Sequence, residues 1–334
     1  MTNPERDPDE IVCEAGAPSA VEVLEPRDVP LGGPRAMRVR RTLPQRHRSL
    51  IGAWCFVDHY GPDQVEATGG MSVAPHPHTG LQTVSWLFTG EIEHRDSAGH
   101  HAMVRPGEVN LMTAGRGISH SEVSTPGATT LHGAQLWVAL PDESRHTDPT
   151  FAHHAPDPVR GDGWEARVFL GSLLGQTSPV ATATPLLGVE VLLEPGTRLD
   201  LEVDPAFEHG VLVDTGVVHL DQDASVEVKE HRLAYVPPGA DLLVLVAGEQ
   251  PVRLLLLGGE PFAESIVMWW NFVGRSHEEI VAFREEWQAQ VQPDGAVVDD
   301  SQLVRDGRFG VVLGDHLPPI PAPALPNVRL RERR

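Results

Sequence analysis

The chain has 334 residues, with 47 acidic against 26 basic side chains and a formal net charge of −21. That length favours two domains, each able to bury its own core, and 40% apolar with 22% charged residues excludes wholesale disorder. The acidic balance argues against direct nucleic-acid binding and against adhesion to an anionic membrane, since both need clustered cations.

In chain order, residues 1–20 are acidic and Pro-rich and read as a flexible extension. They contain no apolar core of the kind a secretory signal requires. Cys13 and Cys55 do not make a disulfide framework, and no apolar run reaches membrane-spanning length. The expected compartment is therefore the reducing cytoplasm. From Met37, MRVRRTLP alternates apolar and basic residues, as a strand with one wet face does. The arginines crowded there (Arg35, Arg38, Arg40, Arg41, Arg46, Arg48) read as that solvated face more readily than as an anion patch.

Short β-rich runs follow, separated by Gly, Pro and polar turns: SLIGAWCFVDHYG, LQTVSWLFTGEIEHRDS, AMVRPGEVNLMTAG, ISHSEVS and LHGAQLWVALP. This spacing predicts an all-β sandwich or barrel. LFTGEIEHR and VRPGEVNLM each predict a strand, a Gly-centred turn and a returning strand. Pro141 to Asp162 reads as a hinge. Beyond it VDTGVVHLD and LAYVPPGADLLVLVA echo the turns of the first half, which indicates an internal duplication. The composition, with 32 Gly and 30 Pro, suits this turn-rich reading. The boundaries expected are a first barrel over 21–150 and a second, with a closing helix, over 160–291. Ser276 and Glu279 form a capping-box pattern, and Ile280, Phe283, Trp287 and Val291 recur on one helical face. Residues 292–334 are expected as an extended Pro-rich tail.

The residues that carry chemistry stand in two pairs. His76-Pro77-His78 places two imidazoles on one face of a strand; alone, such a pair is also at home on a surface. His120-Ser121-Glu122 repeats the i, i+2 spacing about forty residues later. If both strands line one barrel, three imidazole nitrogens and one carboxylate converge, a donor set that suits a first-row transition metal with coordination positions to spare. Structural zinc more often takes cysteines, and neither cysteine is near. His94 and Asp96 read as an exposed strand end, His100 and His101 as a solvated loop. His209, His219 and His231 stand singly, so the second barrel is expected to be metal-free.

HPHTGLQTVSWLFTGEIEHRDS followed by RPGEVNLMTAGRGISHSE closely resembles the pirin family of two-domain cupins, and DHYGP, GAQLWVAL and GGEP fit it. The resemblance covers roughly residues 35–290. It implies an all-β bicupin fold, two tandem jelly-roll (double-stranded β-helix) barrels, with one metal in the first barrel held by His76, His78, His120 and Glu122. Fe(II) is the implied ion; Mn, Co, Ni, Cu and Zn are compatible with the same donors. One departure is Gln82, where the family usually keeps a non-ligating glutamate. The activity implied is a dioxygenase of the quercetin 2,3-dioxygenase type, opening a flavonol-like enol or phenol with O2, with Glu122 as general base. The alternative is a non-catalytic, iron-dependent redox-sensing protein acting through protein partners. No GxGxxG, Walker loop or GxSxG supports nucleotide or acyl-serine chemistry.

Overall fold

A computed structural model describes residues 21–30, 37–221, 225–292, 295–297 and 307–333. The 1–20 extension, Cys13 and Arg35 lie outside the described residues. The first half contains β1 (Glu22–Leu24), β2 (Arg27–Pro30), β3 (Arg38–Leu43), β4 (Trp54–Gln64), the single turn α1 (Val65–Thr68), β5 (Ser72–His78), β6 (Leu81–Thr89), β7 (Ile92–Asp96), β8 (His101–Val104), β9 (Val109–Thr113), β10 (Ile118–Ser124), β11 (Thr130–Ala139) and β12 (Thr150–His154). The second contains β13 (Val159–Gly161), β14 (Trp164–Leu170), β15 (Ser172–Leu173), β16 (Gln176–Thr177), β17 (Leu186–Leu193), β18 (Arg198–Glu202), β19 (Glu208–Thr215), β20 (Val217–Asp221), β21 (Ser225–Lys229), β22 (Leu233–Val236), β23 (Leu242–Ala247) and β24 (Val252–Gly259). A small hairpin, β25 (Val267–Trp269) and β26 (Phe272–Gly274), leads into α2 (His277–Gln290).

Each half is a jelly roll of one seven-stranded and one four-stranded antiparallel sheet. The seven-stranded orders are β12-β9-β6-β11-β4-β3-β2 and β1-β22-β19-β24-β17-β14-β13, and the four-stranded orders are β5-β10-β7-β8 and β18-β23-β20-β21. Strand for strand the orders correspond, as the duplicated sequence requires. The end positions are filled differently. β12 follows its own half and pairs with β9, whereas β1 is the first strand among the described residues and pairs with β22 of the other half. The N-terminal strand thereby ties the two halves together.

The two seven-stranded sheets face each other across a shared apolar layer that joins Trp54, Val84, Trp86 and Leu136 to Phe169, Leu212, Leu255 and Leu257. Alternation explains it: along β6, Val84, Trp86 and Phe88 point into this layer, while Thr83, Ser85 and Leu87 point into the first jelly roll. Trp86 stacks on Phe169 at 4.5 Å between ring centroids.

Several expectations change. LFTGEIEHR is not a hairpin, because β6 pairs with β9 and β11 while β7 pairs with β8 and β10. Its turn is a corner carrying the chain from one sheet to the other. Gly90 there has φ +99°, and a Cβ would lie 2.5 Å from the Thr130 carbonyl oxygen, so the corner requires glycine. VRPGEVNLM crosses back in the same way, from β8 to β9. Residues 141–162 hold β12 and β13 rather than a free hinge. Nor is β3 wet throughout: Arg41 is buried and clamps Asp58 through two bonds of 2.7 and 2.9 Å.

The helix obeys its pattern. The Ser276 hydroxyl accepts from the Glu279 N–H at 3.2 Å, although the Glu279 carboxylate takes the Arg275 N–H and Arg145 instead of closing the box on Ser276. Ile280, Phe283, Trp287 and Val291 are buried, against β25, β26 and the C-terminal segment rather than against either jelly roll's sheets. Trp269 and Trp270 join this cluster. Described tail residues wrap the first half: Ile320 N–H donates to the Pro75 carbonyl, and the Ser119 hydroxyl donates to the Phe309 carbonyl.

Candidate metal centre

β5 lies at the edge of its sheet, which accommodates Pro75 and Pro77 because an edge strand can leave N–H positions unused. It pairs with β10 so that His76 stands directly opposite His120 and His78 opposite Ile118. The register then shifts, with Glu122 opposite Val73, so β5 carries one extra residue where the carboxylate must turn inward. On the other side of β10, His120 faces Asp96 and Glu122 faces His94. Residues opposite one another share a face, so His76, His120 and Asp96 form one row across three strands.

One ligand atom each from His76, His78 and His120 lies within 4.8 Å of the others, and all three side chains are fully buried. The Nδ1 of His76 faces the Ala74 carbonyl at 2.9 Å, and that of His78 faces the Asn271 carbonyl at 3.1 Å. A carbonyl accepts only, so each Nδ1 carries the proton and each Nε2 presents a bare lone pair. The His76 Nε2 has no hydrogen-bond partner among the described residues, and the His78 and His120 Nε2 atoms are 3.1 Å apart. Burial holds all three rings well below the ordinary histidine range, in the neutral form that binds metals. Three buried ring nitrogens converge, and those of His76 and His78 carry bare lone pairs; a cation satisfies such a set, so these residues fit a metal ion.

Glu122 belongs to the same neighbourhood by another route, since it clusters with His120 and His94 rather than within the three-histidine group. Its Oε1 is 3.4 Å from the Ser85 hydroxyl, which is 2.8 Å from Gln135 Oε1. Ser85, Gln135, Asp58 and Arg41 face one another across β6, β11, β4 and β3, forming a buried polar row beneath the site. The buried Tyr60 hydroxyl is pushed well above its usual range by desolvation and by the charge of Glu122, so it remains a protonated donor. Gln82 lies elsewhere. Alternation along β6 puts it on the face of Val84 and Trp86, where it donates to Thr113, so its exchange for glutamate leaves the cradle untouched.

Two groups escaped sequence reasoning. His94 and Asp96, read as an exposed strand end, are each only 3% exposed and stand behind His120. His100 is partly covered and bonds to Asp96, while His101 is exposed and paired with Glu93. Between the halves, His59 of β4 and His132 of β11 both bond to Asp214 Oδ1 of β19, at 2.7 and 2.5 Å. Those contacts are hydrogen bonds to a carboxylate already made, whereas the His76 Nε2 of the cradle has no partner among the described residues. No spacing rule joins residues so distant in the chain; a polar residue inside an apolar strand run was the available signal. His209 is fully buried with neither ring nitrogen bonded among the described residues.

Residues 36–138 match the family model described as Pirin, and residues 188–292 match the Pirin C-terminal cupin domain. A Pseudomonas aeruginosa protein, whose name gives quercetin 2,3-dioxygenase as a provisional activity, is 41% identical over 302 residues, spanning 90% of this chain and 89% of that protein. A pirin-like protein of Caulobacter vibrioides is 38% identical over 261 residues, 75% of this chain and 88% of its own. The crystal structure of an Acinetobacter baumannii quercetin 2,3-dioxygenase superposes with a TM-score of 0.81 at 37% identity, covering 93% of this chain and 97% of that one.

Proposed function

The chain belongs to the pirin family, and from that premise we propose that it is a metal-dependent dioxygenase acting on flavonol-type substrates. His76, His78, His120 and Glu122 would hold the ion, with Fe(II) preferred and Mn, Co, Ni, Cu and Zn compatible. A bound ion of this kind supplies Lewis-acid and redox chemistry toward an enol–carbonyl substrate and O2. The observation that carries the reading is the buried His76–His78–His120 convergence with an unpartnered His76 Nε2, in a chain similar to quercetin 2,3-dioxygenases.

The protein's own groups have distinct tasks. Burial keeps the three imidazoles neutral and excludes water from the cradle. Glu122 accepts the proton of the substrate hydroxyl, and the Ser85 contact at Oε1 orients its carboxylate. The protonated Tyr60 hydroxyl is a donor available to an oxygen-rich ligand. Anaerobic loading with Fe(II), followed by quercetin in air with carbon monoxide detection, tests the proposal. Turnover is expected in the wild type, and Glu122→Gln with metal retained should lose about 10²–10⁴-fold of it. Normal turnover in that variant removes the base role. No turnover with any of the six metals favours the redox-sensing reading instead.

A further inference from the structure

His120 is the one histidine of the cradle whose outer nitrogen meets another side chain rather than a carbonyl. Its Nδ1 lies 3.4 Å from His94 Nδ1, and His94 Nε2 lies 3.4 Å from Asp96 Oδ2. Asp96 is fixed in turn: its Oδ1 accepts from the Ala98 and His100 N–H groups at 3.0 and 2.9 Å, and His100 Nδ1 stands 2.9 Å from its Oδ2. The ring of Phe151 packs 4.9 Å from that of His94. All of this sits behind the cradle, and the function proposed above uses none of it.

We infer that Asp96 and His94 are positioning residues that set the tautomer and orientation of His120, so that its Nε2 lone pair points into the cradle. The chemistry allows one consistent arrangement. A carboxylate held by two main-chain N–H groups is an acceptor, so His94 must carry its proton on Nε2. His94 Nδ1 is then bare and can only accept, which places the His120 proton on Nδ1 and leaves Nε2 free. The opposite arrangement aims a His94 lone pair at a carboxylate oxygen and puts a proton on His120 Nε2, inside the cradle. Buried outer partners of this kind fix ligand geometry and raise ligand basicity.

The inference rests on His120 being a ligand, and its test separates the two ideas. Co(II) affinity is measured by chelator competition, with the visible d–d spectrum as a geometric reading and apo-protein melting as a control for folding. His94→Phe keeps the ring contact with Phe151 and removes both hydrogen bonds; it should weaken Co(II) binding about 10–100-fold and alter the spectrum. His94→Gln, which can accept from His120 and donate to Asp96, should restore both. Asp96→Asn offers an N–H to His94, reverses the chain of protons and should weaken binding to the same extent without loss of apo stability. Wild-type affinity in both His94→Phe and Asp96→Asn overturns the inference. Complete loss of binding in His94→Gln overturns it too, by making His94 a ligand. Undiminished binding in His76→Ala would instead overturn the cradle itself.

Discussion

Replacing Asp214 with alanine should be among the most damaging single changes in the protein, although the residue is remote from the proposed chemistry. Asp214 is 1% exposed and receives His59 and His132 at Oδ1 and Arg253 at Oδ2, the last at 3.3 Å. Desolvation opposes its charge, but the bonds from His132 and His59 outweigh that and hold the carboxyl well below the usual range. Asp214→Ala strands two buried ring N–H groups and takes from Arg253 one of its two carboxylate partners, leaving Glu190. Each orphaned donor costs about 1–3 kcal/mol, and breaking a buried charged pair about 3–5 kcal/mol. These costs overlap, so the expected loss is about 3–5 kcal/mol, or roughly 4–7 °C in Tm at about 1.4 °C per kcal/mol for a chain of 334 residues. Urea and thermal unfolding at pH 7.5 measure it. Asp221→Ala is the control, because its pair with Arg198 is half exposed and is worth about 0–1 kcal/mol. If Asp214→Ala loses no more than Asp221→Ala, the buried cluster does not hold the halves together.

Acid should weaken the fold well above the carboxylate range. Burial lowers His209 and His231 to about 4 and also lowers His59, so these rings are neutral when folded. Their contribution is complete above pH 6.5, the unfolded value, and is lost as pH falls toward 4, by about 3 kcal/mol for His209 alone. Urea midpoints between pH 7.5 and 4.5 should fall for the wild type and fall less for His209→Phe; parallel slopes would refute this. Phe169→Ala removes the stack on Trp86 from the layer between halves, where both rings are fully buried, and should cost about 3–5 kcal/mol in urea unfolding. Ser276→Ala should cost about 1 kcal/mol through the lost N-cap of α2, read by the same unfolding measurement.

Strand texture, the duplication and the helix face at Ile280, Phe283 and Trp287 were legible because each is a local pattern of period 2 or 3.6. Partner choice was not. The turn at Gly90 looks identical in sequence whether the next strand returns beside the last or crosses to the opposite sheet, and only the assembled layers decide. The pairing of Glu22–Leu24 with β22 was invisible for the same reason. At the candidate site, His76, His78, His120 and Glu122 announced themselves by two short spacings. Their supports did not: Ser85 and Gln135 are neutral polar residues among several in largely apolar strands, and His94 and Asp96 look like any polar strand end until β10 and Phe151 cover them. Burial, which turns such residues into positioning groups, is a property of the packed sheets.

Anomalous scattering from crystals of metal-loaded protein, recorded at the absorption edge of the loaded ion, tests the central claim most directly. One strong peak is expected about 2.0–2.2 Å from the Nε2 atoms of His76, His78 and His120 and from a Glu122 oxygen. A peak at His59, His132 and Asp214, or no peak within reach of His76 and His120, would contradict it.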